Sequence, residues 1–431
     1  MPDKKVLILT YYWPPAGGAG VQRWLKFVKY LSQMGFEPHI YTPENPEAPA
    51  SDKSLLKDIP KNAKIIKKTI WEPFNIFKKI TKTKGNFNAS FLSEEKKNKE
   101  KWTEKLALFI RANLFIPDAK MFWIRPSTRF LRKYIQDEKI ELIVSTGPPH
   151  SLHLIALKLK QKLGIKWIAD FRDPWTNIDF YKDLPTLSSV DKYHHKLEKK
   201  VLQKANKIIV VGTQMKKEFQ ETAALANIEV ITNGFDSGIS QDAVLDKKFS
   251  ILHVGSINAD RSHESFYKAL HELLLETKNL KDFLRLRLVG KVDFTAREYI
   301  SKYQLGDFTE FINYIPYTEI SRIQERAHIL YLPTNNTPNA RGILTGKLFE
   351  YLAAKRPILA QGSEDGDLAQ ILKETNAGFI FNFNDKTLIK EEIKRQFLLF
   401  LNKENNFASQ GIEKYSRENL TKELVKILNT F

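Results

Sequence analysis

The chain has 431 residues, of which 42% are hydrophobic, and its formal net charge is +18. This length exceeds one ordinary domain, so we expect two, and the hydrophobic content excludes a disordered chain. The absence of cysteine excludes disulfides, thiolate metal ligands and cysteine nucleophiles, and it fits a reducing compartment such as the cytoplasm.

The N-terminal segment predicts the opening of a doubly wound sheet. Residues 4–10 form an apolar run typical of a buried strand, and a glycine-rich loop follows at residues 17–20. A helix with apolar residues at three- and four-residue spacing then reaches about residue 35, and residues 38–42 predict the next strand. The first apolar run is too short for a signal peptide, and no run approaches the roughly 20 apolar residues of a membrane span.

Residues 61–133, the basic aromatic insertion, carry most of the positive charge, with 19 Lys and Arg against 6 Asp and Glu. Within it, residues 102–114 repeat apolar side chains at helical spacing with cations between them. This pattern is typical of an amphipathic helix on an anionic membrane surface, which predicts a peripheral location on the inner face of the membrane. A helix that packs on its own domain explains the pattern as well. Nucleic acid is disfavoured because no recognition motif accompanies the charge.

Polar groups follow two of the next predicted strands, at residues 141–146 and 166–170. His150 comes after the first, and Asp170, Arg172 and Asp173 come after the second. Because the carboxyl ends of parallel strands meet at one edge of a sheet, we expect these side chains to line a ligand site. Two carboxylates beside an arginine can keep one acid ionised and oriented, and a histidine there can handle a proton. The alternative to a ligand site is that the aspartates and the arginine bind only one another and that the histidine has a purely structural role.

Strand and helix patterns lapse at residues 236–248, which predicts an interdomain linker. The pattern restarts with a strand at residues 250–255, and a last helix covers residues 417–428. We therefore expect two α/β domains and a C-terminal helical segment, at residues 1–240, 249–395 and 396–431.

The most informative stretch is residues 340–357, where a glycine-containing loop leads into a short amphipathic helix. Lys347 and Glu350 are three residues apart in its first turns and share the face opposite the apolar residues. Free backbone N–H groups with one cation and one carboxylate suit a ligand that carries a diphosphate and a sugar hydroxyl. A solvated ion pair is the alternative. Gly255 and Arg261, after the first strand of this domain, also suit a phosphate.

The Asp365-Gly-Asp367 sequence is similar to the Asp-x-Asp metal motif of metal-dependent sugar transferases. It leads into a predicted helix, where acids cap free N–H groups and match the helix dipole. We therefore interpret it as a helix start and expect no metal site there.

Taken together, these motifs resemble the family 4 retaining glycosyltransferases over nearly the whole chain. The similarity is most specific in the glycine-rich first loop, in Val254-Gly-Ser256 and in Thr345-Gly-Lys-Leu-Phe-Glu-Tyr-Leu-Ala-Ala354. It implies the GT-B fold, in which two doubly wound Rossmann-like α/β domains face a cleft and the last helix returns to the first domain. It also implies transfer of a sugar, with retention, from a nucleoside diphosphate donor to a glycan acceptor, lipid-linked or free, in surface polysaccharide assembly. No metal or other cofactor is expected.

The resemblance also implies residue roles. Glu350 would hold the ribose of the nucleotide, the helix N-terminus before it would hold the diphosphate, and Asp173 or Asp170 would orient or deprotonate the acceptor. The predicted catalytic residues are Asp173, Asp170, Arg172 and His150, and the predicted donor-binding residues are Gly17, Gly18, Gly255, Ser256, Arg261, Thr345, Gly346, Lys347 and Glu350.

Three features depart from the family pattern. Gly342 stands where the family has an acid that contacts the transferred sugar, and Ser256 and Ser262 stand in place of a basic pair. The acidic motif that starts at Asp170 replaces a histidine. A GT-B-fold sugar-nucleotide epimerase and a non-catalytic GT-B-like binding protein are therefore alternatives.

Overall fold

The computed structural model describes residues 4–47, 51–72, 102–179, 181–236, 244–313, 315, 317–404 and 407–431. These residues fall into two compact units. The first unit holds those up to Asn233 and those from Arg417 onward, and the second unit holds those from Gly234 to Ser416.

Within the described residues, the first unit is built on a seven-stranded parallel sheet in the order β3-β2-β1-β4-β5-β6-β7. Most side chains of its central strands are buried because helices cover both faces. The strands are β1 (Lys4–Leu9), β2 (Phe36–Pro43), β3 (Lys64–Lys68), β4 (Leu142–Gly147), β5 (Lys166–Phe171), β6 (Lys207–Val210) and β7 (Ile228–Val230). The helices of this part of the chain are α1 (Ala19–Gln33), α2 (Trp102–Leu114), α3 (Ile124–Glu138), α4 (Ser151–Leu163), α5 (Ser188–Lys204) and α6 (Thr213–Thr222).

The second unit has a six-stranded parallel sheet in its described part, in the order β10-β9-β8-β11-β12-β13. Its strands are β8 (Ser250–Val254), β9 (Arg285–Val289), β10 (Thr309–Ile312), β11 (Ile329–Pro333), β12 (Ile358–Gln361) and β13 (Gly378–Phe381). Its helices are α7 (Glu264–Glu276), α8 (Leu280–Phe283), α9 (Phe294–Lys302), α10 (Tyr317–Arg326), α11 (Gly346–Ala354), α12 (Asp367–Thr375) and α13 (Lys386–Leu401).

The last helix, α14 (Arg417–Leu428), belongs to the first unit. Its buried residues Leu424 and Leu428 join the core formed by α1 and one face of the sheet. Arg417 Nη1 also donates a hydrogen bond of 3.1 Å to Gln22 Oε1 on α1.

The prediction of two doubly wound α/β domains is confirmed by these two sheets. Much of the predicted linker, at residues 237–243, lies outside the described residues, as do residues 73–101 of the basic aromatic insertion. Among the described helices, none combines the length and the apolar character needed to cross a membrane.

Candidate functional site

Asp170 lies at the carboxyl end of β5 and is completely buried. Its carboxylate accepts hydrogen bonds from Arg23 Nη2 (2.8 Å), Trp24 Nε1 (2.7 Å) and Thr146 Oγ1 (2.7 Å). Burial acts to raise the pKa of Asp170, but the Arg23 charge and these hydrogen bonds outweigh it and hold the pKa below its ordinary value. Because both oxygens are satisfied inside the protein, this geometry suits a group that ties α1 to the sheet.

Arg172 donates hydrogen bonds to three backbone carbonyls, which belong to two segments at the same edge of the sheet. Its Nη1 donates to the carbonyl of Gly20 (2.7 Å), its Nε to the carbonyl of Gly147 (3.2 Å), and its Nη2 to the carbonyl of Pro148. A Cβ on Gly20 would lie only 2.8 Å from Nη1, so this helix start must be glycine for the guanidinium to reach it. Arg172 thus positions the glycine-rich loop beside the turn after β4.

Asp173 differs from Asp170 in its surroundings. It is partly buried, and no hydrogen bond to its carboxylate is found within the described residues. Burial raises the pKa of Asp173, the Arg172 charge opposes this, and the charge of Asp179 adds to the rise. A carboxylate with unused acceptor oxygens and a raised pKa is the kind of group that takes a proton from a hydroxyl.

His150 lies at the start of α4, stacked on the Trp175 ring at 4.7 Å between ring centroids. Its Nδ1 is buried and has no hydrogen-bond partner among the described residues. Burial lowers the pKa of His150 well below its ordinary value, helped by His153 and Arg172, so the ring is neutral at pH 7. The neighbouring Asp118 caps this helix, since its Oδ2 accepts from the backbone N–H of Ser151 at 2.8 Å.

Arg111, in the last turn of α2, is not among the predicted site residues. Burial lowers the pKa of Arg111, whereas the charges of Glu47, Asp118 and Tyr12 act to raise it. In the sequence, Arg111 is one of the cations of an amphipathic pattern.

In the second unit, the Lys347 side chain passes directly over Gly255 at the end of β8. Gly255 has φ of +113°, and a Cβ at this position would overlap Lys347 Cε. Glycine is therefore required both for the backbone conformation and for the space that the lysine occupies.

Lys347 and Arg261 form a pair of cations at this strand end. Burial, and next to it the Arg261 charge, lower the pKa of Lys347 to about 7, although Glu350 opposes the shift. Arg261 is oriented by its hydrogen bond from Nε to Asn335 Oδ1, at 2.7 Å. The buried His253 beside them is neutral, with a pKa lowered to about 3 by burial and by the Lys347 charge. An anion bound here would relieve the repulsion between the two cations.

Helix α11 begins beside these cations. Thr345 is its N-cap residue but makes no side-chain cap, and its buried Oγ1 has no partner within the described residues. The first N–H groups of the helix, from Gly346 onward, therefore lack a side-chain acceptor at the cap. The helix is fixed to β8 because the backbone N–H of Val254 donates to the Tyr351 hydroxyl at 2.9 Å. This geometry can bind a phosphate through backbone groups and the helix dipole.

The remaining predicted positions are divided between the two units. In the second unit, Ser256 directly follows Gly255, Glu350 comes three residues after Lys347, and both are partly buried. Gly17 and Gly18 precede α1 in the first unit. Gly342 closes a short turn that contains no acid.

Asp365 and Asp367, which we did not interpret as a metal site, lie at the start of a helix. Asp365 pairs with Arg341 at 2.7 Å, and Asp367 begins α12.

Comparison with known proteins places the chain in a family. Residues 93–238 match the model of Glycosyltransferase Family 4, and residues 235–414 match the model of Glycosyl transferases group 1. Among curated proteins, none is significantly similar to this chain in sequence.

Several solved structures share the fold at low identity. Sucrose-phosphate synthase from Thermosynechococcus elongatus has a TM-score of 0.64 and 14% identity over 99% of this chain and 98% of its own. HepE from Anabaena, solved in complex with UDP-glucose, has a TM-score of 0.59 and 11% identity over 99% of this chain and 100% of its own. WaaG, a glycosyltransferase involved in lipopolysaccharide biosynthesis, has a TM-score of 0.57 and 11% identity with the same coverage. The two family matches show that the chain belongs to the family 4, group 1 glycosyltransferases. Its fold is the GT-B fold, which these solved structures share.

Proposed function

We propose that this glycosyltransferase moves a sugar, with retention, from a nucleoside diphosphate donor to a glycan acceptor in surface polysaccharide assembly. The observation that carries the proposal is the cation pair of Lys347 and Arg261, which lies at the end of β8 beside the N-terminus of α11. Binding of UDP and UDP-glucose by HepE, a protein of the same fold, supports a nucleotide-sugar donor.

The proposed chemistry uses the charges of the second unit on the leaving group. The diphosphate gains negative charge as the glycosidic bond breaks, so cations and N–H groups already in place stabilise the transition state more than the ground state. We assign this stabilisation to Lys347, Arg261 and the N-terminus of α11. We assign the ribose hydroxyls to Glu350, whose carboxylate is a hydrogen-bond acceptor near the same helix end.

Acceptor activation is assigned to Asp173 in the first unit. Its partly buried carboxylate has unused oxygens and a raised pKa, whereas the carboxylate of Asp170 is fully used by Arg23, Trp24 and Thr146. Arg172 would keep the surrounding loops in place. We propose that the reaction needs no metal, because the cations named above supply the charge that a metal would otherwise bring.

The direct test is a calorimetric titration of the protein with a panel of nucleotide-sugars. We expect Lys347→Ala and Glu350→Ala to lose donor affinity, and Lys373→Ala and Glu391→Ala, which change exposed residues of the same unit, to keep it. Unchanged affinity in the first two variants would contradict the proposal. Incubation with donor alone tests the two alternatives. An epimerase would convert the sugar, and slow donor hydrolysis that is lost in Glu350→Ala would exclude a non-catalytic binder.

A further inference from the structure

Helix α2 presents an apolar face to solvent. Trp102, Leu106 and Phe109 follow one side of the helix, and Leu114 ends it, with exposed fractions of 75%, 39%, 40% and 67%. The helix is nevertheless anchored to the body of the first unit. Asn113 Nδ2 donates to the carbonyl of Pro185 and Asn113 Oδ1 accepts from the N–H of Leu187, at 2.8 and 2.7 Å. An anchored helix with large exposed apolar side chains indicates a surface that is covered by a partner.

The apolar face continues into an aromatic rim. The ring of Phe115, directly after Leu114, contacts that of Phe122 at 6.2 Å, and Phe122 contacts Trp71 at 4.7 Å. Trp71 is 58% exposed and Phe122 is 38% exposed. Tryptophan and phenylalanine beside cations are the side chains that favour the interface between water and lipid.

A basic groove begins one helical turn after Phe122. Arg125, Arg129 and Lys133 follow one another at four-residue spacing on α3 and line a groove of about 750 Å³ together with aromatic residues. Within the described lining, Asp137 is the one acid. Such a row of cations beside apolar groups suits the phosphates of lipid headgroups.

Arg111 stands on the opposite side of α2 from Trp102 and Leu106. Its charge interacts with Glu47, Asp118 and Tyr12, and the Tyr12 ring lies 6.0 Å from the Arg172 guanidinium. One helix thus has an exposed apolar face and, on its other side, a cation whose charge interacts with residues of the first unit.

We propose that α2, the aromatic rim of Trp71 and Phe122, and the basic groove of α3 form one surface that docks on an anionic lipid bilayer. This rests on the proposed function in one respect, since docking there would bring a lipid-linked acceptor next to Arg111. A second copy of the chain is a poorer occupant because the cations of two grooves would repel.

The test is co-sedimentation of the full chain with phosphatidylcholine vesicles, with and without phosphatidylglycerol. We expect binding only to the anionic vesicles, and weaker binding as salt rises. Each cation near the surface contributes about 1 kcal/mol, so Arg125→Gln/Arg129→Gln/Lys133→Gln should weaken binding by about a hundredfold. Lys192→Gln/Lys196→Gln/Lys199→Gln removes three cations from α5, of the same unit, and should change binding little.

The apolar contribution is tested with the double variant Leu106→Ser/Phe109→Ser, which should lower vesicle binding at least tenfold. The control is Leu225→Ser, at a fully exposed position of the same unit, which should change vesicle binding little. Absence of binding to anionic vesicles, or equal losses in the test and control variants, would overturn this surface. Donor titrations keep the two proposals separate. Donor affinity without vesicle binding overturns the docking surface alone, whereas vesicle binding without donor affinity overturns the proposed function.

Discussion

Donor binding should depend on pH through Lys347. Burial and the Arg261 charge lower its pKa from 10.5 to about 7, so in the free protein much of this lysine is neutral at pH 7. A bound diphosphate adds two negative charges beside the ammonium group and raises its pKa again. Binding therefore takes up a proton near neutral pH. The affinity is fully present below the pKa of the free protein and is lost as pH rises toward the pKa of the complex.

The size of the effect follows from linkage. Where Lys347 is neutral in the free protein and protonated in the complex, each pH unit weakens binding about tenfold. We expect the affinity for a UDP-sugar to be nearly constant below about pH 6 and to fall roughly tenfold between about pH 7.5 and about pH 8.5. Removal of the neighbouring cation in Arg261→Gln should raise the pKa of Lys347 and move the start of this fall to higher pH.

The assay is calorimetry with one UDP-sugar at several pH values, each in two buffers of different ionisation enthalpy, so that proton uptake is measured together with affinity. Lys347→Ala should bind more weakly and show no slope above neutral pH, while Lys373→Ala should behave as the unmodified protein. An affinity that does not change between about pH 6 and about pH 8.5 would refute the reasoning, as would a slope that persists in Lys347→Ala.

Four further outcomes are expected. Gly255→Ala should lower the melting temperature and donor affinity, because its Cβ overlaps Lys347 and its φ of +113° strains an alanine, whereas Gly306→Ala, with no atom within 4 Å, should do neither. Asp170→Asn should destabilise the fold by about 3 kcal/mol in urea denaturation, because it leaves the Arg23 charge buried without its partner. Asp173→Asn should keep that stability and the donor affinity but lower kcat by about a hundredfold, and equal effects of the two aspartate variants would contradict the division of roles. Transfer should proceed at an unchanged rate in EDTA, and a loss restored by a divalent cation would refute a metal-independent reaction.

The fold could be predicted from the sequence because its signals are local. Apolar runs such as residues 6–9 and the periodic residues of α1 and α11 define strands and helices within a few turns of chain. The alternation of these elements predicts a doubly wound fold, and the short motifs around Gly255 and Lys347 identify the family that the two matches confirm.

The candidate site could be predicted only in part. Lys347 and Gly255 both stand in recognisable motifs, but their contact depends on the approach of α11 to the end of β8. The sequence did not distinguish Asp170 from Asp173 as the catalytic acid, because both stand near the end of the same strand and on either side of Arg172. The structure separates them because Arg23 and Trp24, far away in the chain, satisfy Asp170 alone.

The sequence by itself determined the elements, the family and the residue types available for chemistry, because periodicity and short motifs need only neighbouring residues. The tertiary structure decided which charges are neutralised and which are left for a ligand. It paired Asp170 with Arg23, placed Arg111 near Asp118 and moved the pKa of Lys347 to about 7. Burial and electrostatic interactions depend on distance in space, and this distance can be short between residues that are far apart in the chain, as for Arg23 and Asp170, which are 147 positions apart.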